Sequence, residues 1–143
     1  MIVLDTNVLS ELMRSFPSET VLAWLAPHPA ASSFITAASE AEIRVGVSLL
    51  PAGRRRRALE EAAEGLFTDY RGRILAFESE AAKAYAEVVV ARRNSGRPIG
   101  LLDAQIASIV RTFGAVLATR NVRDFEGCGI EVVDPWAATR AKK

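Results

Sequence analysis

Five short strand candidates punctuate this chain, and helix-length segments separate most of them. The strands are expected at Ile2 to Leu4, Ser33 to Thr36, Arg73 to Phe77, Ala115 to Thr119 and Ile130 to Val133. Helices are expected at Thr6 to Met13, Pro17 to Ala26, Ala37 to Leu50, Gly53 to about Phe67, Glu78 to Asn94 and Leu101 to Phe113. Apolar residues at 3.6-residue spacing mark the long segments. Ser18 is placed to cap a helix start, and Gly96 and Gly114 stand just beyond helix ends. Short apolar strands alternating with helices specify an α/β sandwich with a mainly parallel central sheet between helical layers. A chain of 143 residues without repeat or linker suffices for one such domain, spanning residues 1–143. Parallel sheets bind ligands outside the carboxyl ends of their strands, and that rule directs the search for chemistry.

Composition removes several classes of function. No apolar run approaches the roughly 18 residues of a membrane span, so no bilayer crossing is expected. The start, Met-Ile-Val-Leu-Asp-Thr-Asn, lacks a basic segment and a cleavage site, and Cys128 is the sole cysteine, so a cytoplasmic setting is expected. The single histidine, His28, lies between two prolines, which argues against zinc clusters and imidazole-based triads. Net charge is only +1, yet 15 of the 18 basic residues are Arg. The run Arg54 to Arg57 reads first as a solvated helix face paired with Glu60, Glu61 and Glu64, and second as a contact for phosphates or an acidic partner. Arg92, Arg93 and Arg97 sit favourably at a helix C-terminus. Trp24 and Trp136 read first as packing residues and second as stacking surfaces for bases.

The carboxylates carry the functional signal. Of five aspartates, Asp5 follows the first strand, Asp124 follows the fourth closely, Asp134 ends the fifth and Asp103 opens a helix. Asp103 shares its helix face with Ile106, Ala107 and Val110, so its carboxylate lies on the stripe that faces the core. Glu42 shares a face with Ala38, Val45, Gly46 and Leu49, and the helical glycine suggests a close approach there. Glu40 pairs with Arg44 one turn on and is structural. Taken singly, Asp5 is an ordinary helix N-cap. Taken together, acids meeting at strand ends repel one another and need a divalent cation. Oxygen ligands without His or Cys select Mg²⁺ or Mn²⁺, and such ions bring phosphate chemistry with them. Phosphatases with a second aspartate two residues after the first are excluded by Asn7, and receiver domains by the lack of an acidic pair before Asp5.

Asp5-Thr6-Asn7, Glu42 within Glu-Ile-Arg-Val-Gly, Asp103 within Leu-Leu-Asp-Ala-Gln-Ile-Ala and Thr119-Arg-Asn-Val-Arg-Asp-Phe125 occur in an order that resembles the PIN-domain nucleases. The VapC and FitB-type toxins of toxin–antitoxin pairs are the nearest in pattern, and the likeness extends to Val133-Asp-Pro-Trp136. The resemblance implies a PIN-like three-layer sandwich and a Mg²⁺- or Mn²⁺-dependent endoribonuclease. It assigns Asp5, Glu42 and Asp103 to the metal, with Asp124 as fourth acid and Asn121 orienting it or a metal-bound water. Thr6, Asn7 and Thr119 are then expected to hold metal waters or the scissile phosphate. A homodimer is implied, together with a small antitoxin whose helix packs near Leu9, Leu12, Trp24 and residues 45–67. The competing reading is a non-catalytic protein that binds an antitoxin and tunes DNA binding by the complex.

Overall fold

A computed structural model describes residues 1–137 of the chain; the last six residues of the expected domain, 138–143, lie outside the described part. The strands are β1 (Ile2–Leu4), β2 (Ser33–Thr36), β3 (Ile74–Leu75), β4 (Val116–Ala118) and β5 (Glu131–Val133). They form one sheet in the order β3-β2-β1-β4-β5, with every pairing parallel. The third strand is shorter than the expected Arg73 to Phe77. It is an edge strand whose only ladder partners are Ile35 and Thr36, and nothing holds residues 76 and 77 in register.

Six helices connect the strands: α1 (Thr6–Leu12), α2 (Glu19–Leu25), α3 (Ala37–Ser48), α4 (Arg54–Asp69), α5 (Ser79–Asn94) and α6 (Leu101–Thr112). Side-chain oxygens of Asp5, Ser18 and Thr36 accept from the first-turn amides of α1, α2 and α3. Gly114, with φ +61°, reverses the chain after α6 in a conformation that L side chains rarely adopt. Two 3-10 turns, Ala30–Ser32 and Val122–Phe125, arise where no helix was expected. The second is pinned by Phe125, which is buried.

Alternation along the strands divides the core into two layers. Leu4, Ile35 and Ala118 face a cluster with Val8, Leu9, Val21, Ile43 and Phe67, from α1 to α4. Val3 and Leu117 face the opposite cluster, with Val88, Ile106, Ala107 and Val110 from α5 and α6. The sheet is thus covered on both sides, as a parallel sheet requires. No helix among the described residues is long and apolar enough to cross a membrane.

Candidate active site

β1 lies mid-sheet: the chain runs from β1 outward to β2 and β3, then crosses back to build β4 and β5 on the other side. The carboxyl end of β1 is therefore the topological switch point, where parallel sheets form their crevice. A cleft of about 660 Å³ opens there, lined by Asp5, Thr6, Asn7, Glu42, Asp103 and Asn121, with Arg14, Arg55, Arg120 and Trp136 also on its walls.

Asp5 is buried at the floor, its backbone N–H held by Ala118 O at 2.9 Å as the β1–β4 ladder continues. Its Oδ1 accepts from Thr6 N at 2.8 Å and its Oδ2 from Thr119 Oγ1 at 2.7 Å. Burial pushes its carboxyl above the ordinary value, the Thr119 and Thr6 hydrogen bonds oppose that, and the charges of Glu42 and Asp124 add to the rise. Thr6 Oγ1 donates to Glu42 Oε1 at 2.9 Å and lies 3.0 Å from Ser39 Oγ, which ties α1 to α3. Asp103 is half-buried on α6, and its carboxyl is pushed up to about 6, by burial first and then by Asp5, Glu42 and Asp124. Arg92 pulls it the other way.

These positions revise several expectations. Thr119 is fully buried, and its hydroxyl donates to Asp5 while accepting from Asn7 Nδ2 and Asn121 N, both at 3.1 Å. With one proton given and two donors received, it has no capacity left for phosphate or metal water; it positions Asp5. Asn7 donates once, to Thr119, and its Oδ1 accepts from Arg120 N at 3.2 Å, which leaves a second N–H on a side chain that lines the cleft. Asp124 is exposed on the 3-10 turn and does not line the cleft, although its charge reaches Asp5 and Asp103; Asn121 does line it. Glu42 faces no core stripe, because Val45 and Leu49 are 57 % and 79 % exposed, and Ile43 and Val47 turn inward instead. Gly46 meets nothing within 4 Å where a side chain would stand. Leu9 is fully buried, so it belongs to the core rather than to a docking surface. Among the described residues no three acid, His or Cys side chains stand close enough to hold an ion by themselves. The acids ring the cleft without closing a cage.

A buried parallel sheet, a switch-point cleft and acids borne by β1, α3 and α6 make one architecture, and the family model for the PIN domain matches residues 2–127. The chain belongs to the PIN domain family. It is 37% identical over 137 residues to the VapC ribonuclease Y4jK of Sinorhizobium fredii, an alignment covering 95% of this chain and 98% of the relative. It is 35% identical over 137 residues to the toxin FitB of Neisseria gonorrhoeae, covering 95% and 99%. A solved structure of FitAB bound to an IR36 DNA fragment superposes with a TM-score of 0.88 at 35% identity, covering 95% of this chain and 96% of the other.

In this PIN domain one contributor escaped the sequence reading. Arg92, placed there as a solvated C-terminal cation, is buried. Its Nε donates to Arg97 O and its Nη1 to Asp124 O, each at 2.7 Å, so it clamps the turn carrying Asp124 to the end of α5. The only sequence signal was its i+4 relation to Val88, which also points inward. The Arg54 to Arg57 run is divided rather than uniform: Arg56 pairs with Glu60 at 2.9 Å, whereas Arg55 lines the cleft. Glu11 is a further buried acid on the cleft wall, engaged by Ser18 N at 3.0 Å and by Arg14.

Proposed function

We propose that this PIN domain is an endoribonuclease toxin that hydrolyses RNA phosphodiesters with Mg²⁺ or Mn²⁺, and that a small antitoxin holds it in check. The observation that carries this reading is the meeting of Asp5, Glu42 and Asp103 in one crevice, with Asp103 pushed up to about 6 partly by its neighbours' charge. Carboxylates that oppose one another's ionisation are relieved by a cation. An all-oxygen donor set in an open cleft fits ions that keep several waters and take only one or two carboxylates directly. Asp5, Glu42 and Asp103 would share the ion, one or two of them directly and the rest through its waters, with Asp124 adding its charge as fourth acid from the turn outside the cleft. When bound, the ion neutralises the phosphate and lowers the pKa of a nearby water.

The chain's own residues divide the remaining work. Thr119 and Thr6 fix both oxygens of Asp5, and Thr6 fixes Glu42, so the carboxylates are set before substrate arrives. Asp103, a half-buried acid of raised proton affinity, orients the attacking water and accepts its proton at the carboxylate. Arg55 and Arg120 on the cleft walls receive the RNA backbone. The antitoxin follows from relatives that are a toxin and a toxin complex, FitB and FitAB. Incubating the purified chain with RNA and Mn²⁺ beside an Asp5→Asn copy tests the assignment. Cleavage by the parent alone is expected; equal inactivity of the two would favour the non-catalytic, antitoxin-binding reading.

A further inference from the structure

Arg120 follows buried Thr119 directly, and its guanidinium carbon lies 4.9 Å from the centroid of the Trp136 ring. Both side chains line the acid cleft. Trp136 leans on the core cluster that contains Leu4 and Ala118, so the packing side of its ring is occupied, and Arg120 covers the ring. Each partner is also fixed from behind. Arg120 N donates to Asn7 Oδ1 at 3.2 Å, and Trp136 N donates to Asp134 Oδ1 at 2.9 Å. Asp134 thereby acquires a role, closing the turn that aims the indole at the cleft. Among the described residues Arg120 forms no ion pair, unlike Arg14, Arg44, Arg56, Arg97 and Arg111.

An exposed arginine without a carboxylate, lying over an aromatic ring at the edge of a phosphodiester site, presents a flat cationic surface. Guanidinium planes on aromatic rings are surfaces on which unstacked bases settle, whereas a lysine ammonium offers charge without a plane. We infer that Arg120 and Trp136 form a stacking platform for a nucleobase next to the scissile phosphate of single-stranded RNA. The inference rests on the nuclease reading and deepens it: the cleft grips a base as well as the backbone. It requires the base beside the cleaved bond to be unpaired, so that bulges, loops and single strands are substrates and continuous duplex is not.

The test separates base from backbone. A chain carrying Trp24→Phe, which leaves Trp136 as the only tryptophan, and Asp5→Asn, which stops cleavage, is titrated in Mg²⁺ with two fluorescently labelled RNA oligomers. One bears bases throughout and the other is abasic at its central residues. Anisotropy reads binding, and indole emission reads stacking in unlabelled samples. The base-bearing oligomer is expected to quench Trp136 and to bind about tenfold more tightly than the abasic one. Arg120→Ala and Arg120→Lys should both erase that tenfold preference, and Arg120→Lys should retain the abasic affinity. Equal binding of the two oligomers with unchanged indole emission overturns the platform while leaving the nuclease reading intact. Preference kept by Arg120→Lys overturns the planar-stacking account as well. Failure of both oligomers to bind overturns the nuclease reading and the platform with it.

Discussion

Asp103 stands one turn before Ile106 and Ala107, both fully buried, so the packing that forms α6 also withdraws its carboxylate from water. Its carboxyl binds a proton more tightly in the folded chain, about 6, than at the ordinary value of 3.8. The contribution of this residue is therefore most favourable below about pH 4 and is lost as pH rises to about 6. Without divalent ions, Asp103→Asn should melt a few degrees above the parent at pH 7, and with Mn²⁺ present it should fail to cleave RNA that the parent cleaves. Addition of Mg²⁺ should raise the melting temperature of the parent at pH 7 more than at pH 5 and leave Asp103→Asn nearly unmoved. Differential scanning fluorimetry at the two pH values checks this, and a variant that melts below the parent at pH 7 would remove the burial penalty from the account. Arg92 poses the opposite case, a buried cation satisfied by carbonyls rather than by a carboxylate. Lysine lacks the fork that spans Arg97 O and Asp124 O, so Arg92→Lys should cost about 1–3 kcal/mol, measured by urea unfolding, and loosen the turn that carries Asp124.

β1 and β4 were readable because they are apolar on both faces, and the helices because their stripes repeat. Asp5 was readable for the same reason: it is the first polar residue after Ile2, Val3 and Leu4. Asp103 showed itself as a charge among Ile106, Ala107 and Val110, and the structure keeps that face buried. The failures lie where tertiary packing chooses between equivalent faces. Periodicity on α3 reads as one face carrying Ala38, Val45, Gly46 and Leu49 beside Glu42, whereas the core takes Ile43 and Val47 and leaves Val45 and Leu49 outside. Beyond the i+4 relation to Val88, no spacing rule shows that Arg92 turns inward while Arg93 does not, because its partners are backbone carbonyls, Arg97 O just past the helix and Asp124 O in a distant turn. In the loop from Thr119 to Phe125 the resemblance makes Asp124 the fourth acid and Asn121 its orienting neighbour, and geometry splits the two: Asn121 lines the cleft, whereas Asp124 stays outside it and contributes through its charge. With Asp124 as fourth acid, Asp124→Ala should weaken Mn²⁺ binding about tenfold by calorimetry, as loss of an outer carboxylate does in other metal sites. Unchanged affinity would hand the position to Asn121.

At the scale of the whole molecule, two depressions share a wall. Beside the acid cleft runs a groove between the end of α1 and α4, lined by Met13, Phe16, Arg55, Ala58 and Leu59, and Arg14 and Arg55 belong to both. Phe16 is 89 % exposed, a large apolar side chain left in water by the isolated chain. An amphipathic helix laid in such a groove would bury Phe16 and draw on Arg55, and its end would arrive at the cleft mouth. This seat for the proposed antitoxin falls partly within the expected surface, since Arg55, Ala58 and Leu59 belong to residues 45–67, but it adds Met13 and Phe16 and drops Leu9, which is buried. Because Phe16 supports neither the sheet nor the acids, its replacement separates partner binding from catalysis. Phe16→Asp should leave Mn²⁺-dependent RNA cleavage within about twofold of the parent, since an exposed substitution away from core and caps changes stability little. The same variant, co-expressed with the proposed antitoxin, should elute separately from it where the parent co-elutes, and should cleave RNA in its presence. Co-elution retained by Phe16→Asp would place the antitoxin elsewhere on the surface; cleavage lost without any change in folding would show that groove and cleft act as one site.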